Sequence, residues 1–171
     1  MKDTNKLICF DFDDTLCHTI KEEPGKQIWK EKTGRDWPHQ GWWSKPETLD
    51  IDVFDTKVNP YVYEEYLKAI EDTQNHVIMA TGRLERLRQP VQMILDNLGL
   101  EFDDVYLNTG GDTYLFKTRL FERLIRRLRP TEFIMYDDRY EHLVKFEQWA
   151  KTIDCKITII DVINKTRKVY K

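Results

Sequence analysis

Residues 7–16 read LICFDFDDTL, and in them an apolar run of the kind found in buried strands passes directly into a group of aspartates. Two carboxylates about 4 Å apart repel each other by roughly 4 kcal/mol at an effective dielectric constant near 20. A hard divalent cation relieves that repulsion, and Mg2+ prefers one or two carboxylates together with water and phosphate oxygens. The segment therefore predicts a loop that performs phosphoryl transfer. The alternative is an acidic surface turn that follows a core strand.

Asp11 and Asp13 are the residues of this loop that we expect to react. A carboxylate can attack phosphorus and form an aspartyl-phosphate, which splits a difficult hydrolysis into two easier steps. The second carboxylate, two residues on, leaves the strand end on the same side, so it can act first as a general acid and then as a base. We expect the hydroxyl of Thr15 to orient this second carboxylate.

Residues 76–83, HVIMATGR, form a second apolar strand that ends in groups suited to a phosphate. Thr81 offers a hydroxyl donor, Gly82 lets the backbone approach closely, and Arg83 brings a guanidinium that matches phosphate oxygens. These three residues are predicted to bind substrate. Taken by itself, the segment is more typical of a plain strand-to-turn junction.

Two further segments supply a cation and more carboxylates. Lys117 opens an amphipathic stretch that runs to Arg129, and it is placed to tie the nucleophile to the phosphate, although a lone lysine there is usually a solvated charge. Asp137 and Asp138 follow the apolar run FIMY and add the metal ligands that the first loop lacks. All these segments lie at the carboxyl ends of predicted strands or just past one. Open α/β sheets bind ligands there, so one shared cleft is expected.

With these motifs in this order, the chain resembles the haloacid dehalogenase (HAD) superfamily of Mg2+-dependent phosphatases. The matches to the four motifs of that superfamily are Asp11 with Asp13, Thr81, Lys117, and Asp137 with Asp138. Within the superfamily the chain is most similar to the Swiss Army Knife RNA repair-like domain, judged by GWWSKPETL at 41–49, TGR at 81–83 and YDDR at 136–139 followed by His142 and Phe146. A weaker similarity, to the 3'-phosphatase domain of viral polynucleotide kinases, includes GDT at 111–113. Asp14 stands where the family often has glycine.

The resemblance implies a role for each aspartate of the motifs. Asp11 would be the nucleophile and a metal ligand, and Asp13 would be the acid and base, with its backbone carbonyl on the metal. Asp138 rather than Asp137 would bind the metal directly, and Asp137 would act through water or a neighbouring group. Mg2+ is the cofactor that the resemblance implies.

The other two motifs would handle the phosphate itself. Thr81 would bind the phosphoryl group, and Lys117 would stabilise negative charge on both the phosphate and Asp11. These roles fit the general rule that catalysis of phosphoryl transfer is mostly positioning and electrostatic stabilisation.

The alternation of strands and helices predicts the architecture. Strands are predicted at Lys6–Phe12, His76–Ala80, Val105–Asn108, Glu132–Tyr136 and Lys156–Asp161, with amphipathic helices between them. One helix begins with Asn59 and Pro60 and is expected to bury Val62, Tyr66, Leu67 and Ile70. The pattern indicates an α/β protein with a three-layer α/β/α Rossmann-like HAD fold and a mainly parallel five-stranded sheet. Residues 1–171 are expected to form a single HAD-like domain.

Residues 17–58 break this alternation, and we interpret them as a small cap insert after the first strand. The insert is expected to be irregular, and it holds four of the five tryptophans, at positions 29, 37, 42 and 43. One interpretation is that these rings fasten a short segment to the main domain, because such a segment needs large side chains to bury enough area. The other, less favoured, is that one or two of them stack on a nucleobase.

The charge pattern leaves the question of nucleic-acid binding open. A net charge of −3 and an isoelectric point near 5.8 lack the basic character of many nucleic-acid-binding domains. Locally, however, arginines crowd two segments, at positions 83, 86 and 88 and at positions 119, 123, 126, 127 and 129. Such a stripe is usually a solvated face. If it binds a polynucleotide, affinity should fall steeply with salt.

Three functions are therefore considered. The first is removal of terminal phosphates from RNA or DNA during repair, the second is hydrolysis of small phosphorylated metabolites such as nucleotides or sugar phosphates, and the third is a non-catalytic phosphate- or metal-binding module. No apolar run approaches the roughly 18 residues of a membrane span, so no membrane partner is expected, and no obligate protein partner is inferred. The three cysteines have no metal-binding spacing and indicate reduced thiols in the cytoplasm, and the N-terminal residues lack a signal-peptide profile.

Overall fold

A six-stranded sheet lies at the centre of the computed structural model, which describes residues 5–171. The strands of these residues are β1 (Lys6–Phe10), β2 (Cys17–His18), β3 (Lys57–Val58), β4 (His76–Leu84), β5 (Asp104–Asn108), β6 (Glu132–Asp137), β7 (Ile157–Asp161) and β8 (Thr166–Tyr170). The order in the main sheet is β5-β4-β1-β6-β7-β8, in which the first five strands are parallel and β8 runs antiparallel to β7. Residues 1–4, which belong to the predicted domain and to its N-terminal segment, lie outside the described residues.

The helices cover both faces of the sheet. They are α1 (Glu22–Thr33), α2 (Pro60–Glu71), α3 (Arg88–Asn97), α4 (Thr113–Leu128) and α5 (Tyr140–Ala150), with short 3-10 helices at Pro46–Leu49 and Glu85–Leu87. Successive residues of a strand point to opposite faces, so Ile8 and Phe10 pack with α2 and α3, whereas Leu7 and Cys9 pack with α4 and α5. The predicted three-layer α/β/α fold is thereby confirmed.

The register of the parallel strands determines where their ends meet. Phe10 is paired with Met79 of β4 on one side and with Tyr136 of β6 on the other. Directly after β1, the backbone N–H of Asp11 donates a hydrogen bond to the carbonyl of Tyr136 at 3.0 Å. The residues that follow or end these three central strands therefore lie together at one edge of the sheet.

The five predicted strands are all present, and the sheet contains one more. β4 continues past its predicted end at Ala80 to Leu84, with a register shift between Thr81 and Leu84. The additional strand, β8, has no buried residue and so carries no apolar alternation that sequence patterns could reveal. It covers the edge of β7 that would otherwise expose unpaired backbone groups.

The predicted apolar face of α2 is wrong in part. The buried residues of this helix are Val62, Tyr66 and Ala69, which share one stripe. Leu67 and Ile70, which we expected to be buried, are 44% and 42% exposed. A helix turns only one stripe towards a sheet, and the small Ala69 lies on that stripe in place of the larger Ile70.

Residues 17–58 are less irregular than the sequence indicates, because they include the twelve-residue helix α1. The segment leaves and rejoins the main domain at neighbouring points, since β2 and β3 pair with each other in antiparallel fashion. The backbone N–H of Asn59 then donates to the carbonyl of Leu16 at 2.9 Å and closes the insert. That the chain is a single domain with this segment as a cap stays a prediction.

Two tryptophans of the insert, Trp42 and Trp43, differ in burial. Trp42 is 2% exposed and packs against Trp37 and Phe54, and its indole Nε1 donates to the carbonyl of Ile20 at 2.9 Å. Its ring fills the space that a side chain would need at Gly25, where a Cβ would lie 2.2 Å from the ring. Trp42 therefore has the packing function expected of a ring that fastens the insert. Trp43 is 44% exposed, so packing does not account for its whole ring.

None of the helices found between residues 5 and 171 combines the length and the apolar character that a membrane crossing requires. Cys9, Cys17 and Cys155 are free cysteines, the first two of them buried. Burial raises the pKa of the Cys9 and Cys17 thiols, so both are protonated and serve as packing groups.

Candidate active site

Carboxylates from two neighbouring strands converge at the carboxyl edge of the sheet. Asp11 directly follows β1, Asp137 is the last residue of β6, and Asp138 follows it. One oxygen from each of the three lies within 4.8 Å of the others, the closest grouping of possible metal ligands of this kind in the described residues. The separation along the chain is large, so the parallel pairing of β1 with β6 creates the cluster.

Lys117 lies against this cluster. Its Nζ is 2.9 Å from Oδ1 of Asp11 and donates to Oδ2 of Asp137 at 2.7 Å, and its side chain is almost fully buried. Burial alone would lower the pKa of Lys117, but the Asp11 and Asp137 carboxylates outweigh it and raise the pKa, so the amine is charged. The start of α4 is fixed by Asp112, whose side chain caps the helix by accepting the backbone N–H of Leu115 at 2.9 Å.

The electrostatics of the cluster favour a bound cation. Burial raises the pKa of Asp11 to about 8, although the charge of Lys117 lowers it, and burial together with Asp137 raises the pKa of Asp138 to about 6. Ionised carboxylates are thus costly here in the absence of additional positive charge. An all-oxygen donor set with this excess of negative charge suits Mg2+, and the residues present therefore fit the ion that the resemblance implies.

Asp13 is held apart from the three-carboxylate cluster by Arg83. The guanidinium donates two hydrogen bonds to the carboxylate, from Nε to Oδ2 at 2.9 Å and from Nη2 to Oδ1 at 2.7 Å. The hydroxyl of Thr19 donates to the same Oδ1 at 2.8 Å. Such a two-pronged contact fixes both the position and the plane of the carboxylate.

The same Arg83 side chain reaches into the insert. Its Nη1 donates to the backbone carbonyl of Trp43 at 2.6 Å and to the hydroxyl of Thr48 at 3.1 Å, and its Cζ lies 4.9 Å from the centre of the Trp43 ring. Arg83 is 4% exposed. Its donors are thus largely committed to the protein, whereas the sequence predicts that they bind substrate phosphate.

Thr81 and Gly82 line the cavity beside these groups. Thr81 is buried, and its hydroxyl oxygen accepts the backbone N–H of Arg83 at 3.1 Å, which leaves the hydroxyl proton able to donate elsewhere. A Cβ at Gly82 would lie 2.8 Å from Oγ1 of Thr113, so glycine is required for Thr113 to approach. Close packing against Thr113 explains the glycine of this motif.

The hydroxyl of Thr15 does not orient Asp13, contrary to the expectation from the sequence. It donates to Oδ1 of Asp138 at 3.0 Å, and Thr19 serves Asp13 in its place. Asp14, where the family often has glycine, has a φ of 57°. Aspartate tolerates this left-handed conformation better than most residues, so the tight turn of the loop is kept.

An open cavity of about 520 Å3 is lined by Asp11, Asp13, Thr81, Gly82, Arg83, Lys117 and Asp138, whereas Asp137 is buried and does not line it. The cavity is also lined by Asp14, Trp43, Ser44, Leu84, Thr113, Arg139 and His142, and of these only Trp43 has a role predicted from the sequence, as a ring that stacks on a base. His142 is buried, and burial lowers its pKa, so the imidazole is neutral at pH 7. Five of these additional lining residues lie within segments on which the resemblances rest, namely Trp43, Ser44, Thr113, Arg139 and His142.

Comparisons with known proteins show which family and which fold the chain resembles. A family model described as HAD domain family 1 in Swiss Army Knife RNA repair proteins matches residues 23–170. A chain in the structure of a Pnkp1/Rnl/Hen1 complex superposes with a TM-score of 0.57 at 16% identity over 94% of this chain, which spans 47%, or about half, of that chain. A predicted phosphoglycolate phosphatase from Haemophilus somnus 129PT superposes with a TM-score of 0.53 at 12% identity, over 92% of this chain and 84% of its own. At such identities the likeness shows the fold alone, and no curated protein matches the chain.

Proposed function

Because the chain belongs to HAD domain family 1 of the Swiss Army Knife RNA repair proteins, a family of HAD-type phosphoric monoester hydrolases, we propose that it removes terminal phosphates from nucleic acid. The reaction depends on Mg2+ and passes through an aspartyl-phosphate on Asp11. The observation that carries the proposal is that Asp11, Lys117 and Asp138 line one open cavity, with Lys117 in contact with both Asp11 and the buried Asp137. A buried lysine that contacts two carboxylates is costly to fold, and this favours a catalytic site over a non-catalytic module.

The residues would share the metal and the phosphate as follows. Asp11 and Asp138, with the backbone carbonyl of Asp13, would hold the ion, whereas both oxygens of Asp137 already accept, from Lys117 and from the backbone N–H of Arg139. Bound there, Mg2+ would neutralise charge on the carboxylates and on the substrate phosphate. Thr81 would donate its hydroxyl to a phosphoryl oxygen, and Lys117 would offset charge on the phosphate and on Asp11.

The two chemical steps follow from the positions of the carboxylates. In the first, an oxygen of Asp11 forms a bond to phosphorus while the bond from phosphorus to the leaving oxygen breaks, and Asp13 gives that oxygen a proton. In the second, water attacks the phosphorus of the aspartyl-phosphate and Asp13 accepts a proton from the water. Inorganic phosphate leaves and Asp11 is regenerated.

A phosphate-release screen with Mg2+ tests the substrate class. It compares oligonucleotides phosphorylated at the 3' end or at the 5' end with mononucleotides and sugar phosphates. Preference for an oligonucleotide end supports repair. Faster turnover of mononucleotides or sugar phosphates would select the alternative of a small-metabolite phosphatase, which the net charge of −3 favours.

Arg83→Lys is expected to reduce turnover in a way that depends on the leaving group. Lysine keeps the charge but loses the fork that fixes the Asp13 carboxylate, so proton transfer to the leaving oxygen suffers. General acid catalysis contributes roughly 10²- to 10⁴-fold, so we expect about a 100-fold fall in kcat/KM for an alkyl phosphate. We compare kcat/KM because it reports formation of the aspartyl-phosphate alone, whereas kcat also contains the hydrolysis step that both substrates share. The fall for p-nitrophenyl phosphate should be much smaller, because that leaving group needs no proton. Equal losses for both substrates would contradict this function of Arg83.

Trp43→Ala is expected to raise the KM for nucleotide substrates. The ring is exposed at the rim of the cavity and is held near the Arg83 guanidinium, so it is fixed in place to receive a base. Stacking on an aromatic side chain contributes roughly 1 to 3 kcal/mol per base, equivalent to a KM about fivefold higher or more. Trp43→Phe should retain most of the effect, and a substrate with an abasic terminal residue should not distinguish Trp43→Ala from wild type. An unchanged KM for the nucleotide substrate would exclude stacking on this ring.

A further inference from the structure

A second cavity, of about 510 Å3, lies between α4 and the edge strand β5. We call it the α4 groove. Its lining includes Arg119 and Arg123 of α4, Tyr106 of β5, and the glycines Gly110 and Gly111 of the loop that joins the two elements. Both glycines have positive φ, at 131° and 86°, so the loop turns sharply and leaves an open passage above the edge strand.

The α4 groove adjoins the active-site cavity across a narrow ridge. Leu84 lines the active-site cavity while the next residue, Glu85, lines the groove. In the same way Thr113 lines the active-site cavity and the preceding residue, Asp112, lines the groove. A chain molecule that ends at Asp11 can therefore cross this ridge and continue along α4.

The acidic side chains of the groove have partners, whereas two of its arginines have none among the described residues. Glu85 is engaged by Arg88, with Oε2 at 2.9 Å from Nη2, and Asp112 is engaged by the backbone at the start of α4. Arg119 and Arg123 are exposed, and within residues 5–171 neither of their side chains makes a hydrogen bond or an ion pair. They stand at positions i and i+4 on one side of a helix, where like charges repel and destabilise. An anionic ligand would relieve that repulsion.

We propose that the α4 groove binds the phosphodiester backbone of a single strand whose terminal phosphate lies at Asp11, with Arg119 and Arg123 each contacting a phosphate. The proposal rests on the proposed function and extends it, because it makes strand length a determinant of turnover. The ridge geometry favours a strand over a separate anion, since one covalent chain fills both cavities. Tyr106, which is partly buried, also lines the groove, and an aromatic side chain next to cations is the usual composition of a sequence-tolerant single-strand site.

The experiment uses oligothymidylates of one to eight nucleotides, phosphorylated at the 3' end in one series and at the 5' end in another. We expect kcat/KM of the wild type to rise with length for the preferred end. The double variant Arg119→Gln/Arg123→Gln should lower kcat/KM for the octamer about tenfold or more, as expected for lost hydrogen bonds to charged groups, and should leave the mononucleotide unchanged. The matched control is Arg126→Gln/Lys151→Gln, which removes the same charge from residues outside both cavities and should retain octamer turnover.

Salt dependence gives a second measurement that a folding defect would not imitate. On single strands each neutralised phosphate contributes a slope of about −0.7 to the logarithm of affinity against the logarithm of salt concentration. Loss of two contacts should therefore make the octamer slope shallower by about 1.4 in the groove variant and leave it unchanged in the control.

Failure of the groove and failure of the proposed function give different results. If oligonucleotides are preferred but the groove variant retains that preference, the α4 groove is not the path of the strand. Equal losses in the groove variant and in the control would also overturn the proposal, because net charge alone would then explain the binding. Wild-type preference for mononucleotides or sugar phosphates over every longer substrate would overturn the groove and the nucleic-acid function together.

Discussion

Asp11→Asn is expected to abolish phosphate release, with a fall of about 10⁴-fold or more, while the fold is retained. Asparagine has the same shape but cannot form the acyl phosphate, and loss of a nucleophile that acts together with its partners commonly costs four to six orders of magnitude. The stability of the metal-free protein should rise, because burial opposes the charge of Asp11 and the substitution removes that charge. Release of phosphate from the preferred substrate and thermal unfolding measure the two effects.

The control for this substitution is Asp14→Asn. Asp14 lies in the same loop and lines the same cavity, and asparagine also tolerates its φ of 57°. We expect its turnover to remain within a few-fold of wild type. Similar phosphate release by wild type and by Asp11→Asn would disprove the covalent mechanism.

Lys117→Met is expected to lower the free energy of unfolding by about 3 to 5 kcal/mol, besides removing activity. Methionine fills similar space, but Asp11 and Asp137 lose the cation that offsets their burial, and breaking a buried ion pair in this way is costly. Urea unfolding monitored by circular dichroism measures the loss. Lys151→Met, at an exposed lysine, should change stability by no more than about 0.5 kcal/mol.

The penalty of Lys117→Met should depend on pH and on Mg2+. The pKa of Asp11 is raised by burial from 3.8 to about 8, so the folded state binds a proton more tightly than the unfolded state does. This group therefore destabilises the metal-free protein as pH rises from about 4 to about 8. Without Lys117 the pKa of Asp11 rises further, so the two folded proteins differ in the charge of Asp11 only from about pH 8 upward. The penalty should therefore be smaller at pH 6 than at pH 9. A penalty that is equal at both pH values, and unchanged by Mg2+, would show that lost packing rather than charge is responsible.

Local sequence patterns were sufficient to predict the strands and the residues at their ends. A buried parallel strand is a continuous apolar run, and the polar residue that ends it is forced to the carboxyl edge of the sheet, so Asp11, Thr81 and Asp137 could be placed together in advance. The strand β8 and the rotation of α2 could not be predicted in this way. They depend on which stripe or edge the rest of the molecule leaves open.

The hydrogen-bond partners of the site side chains could not be predicted from the sequence. Arg83 suits a phosphate and a carboxylate equally well, and only the placement of Asp13 opposite it, 70 residues away along the chain, decides which one it contacts. Thr15 likewise lies close to Asp13 in sequence yet bonds Asp138, because the loop turns its hydroxyl towards β6. Chemical type fixes the set of possible partners, and tertiary packing selects among them.

The position of Arg83 has a consequence for how activity would be lost under stress. One guanidinium joins the carboxylate of Asp13 to the backbone of Trp43 and the hydroxyl of Thr48. A segment at the periphery of a domain generally opens at lower free energy than the paired strands at its centre. Gentle warming that frees residues 17–58 would release the anchor of Asp13 while every strand of the six-stranded sheet stays paired, so inactivation would precede melting.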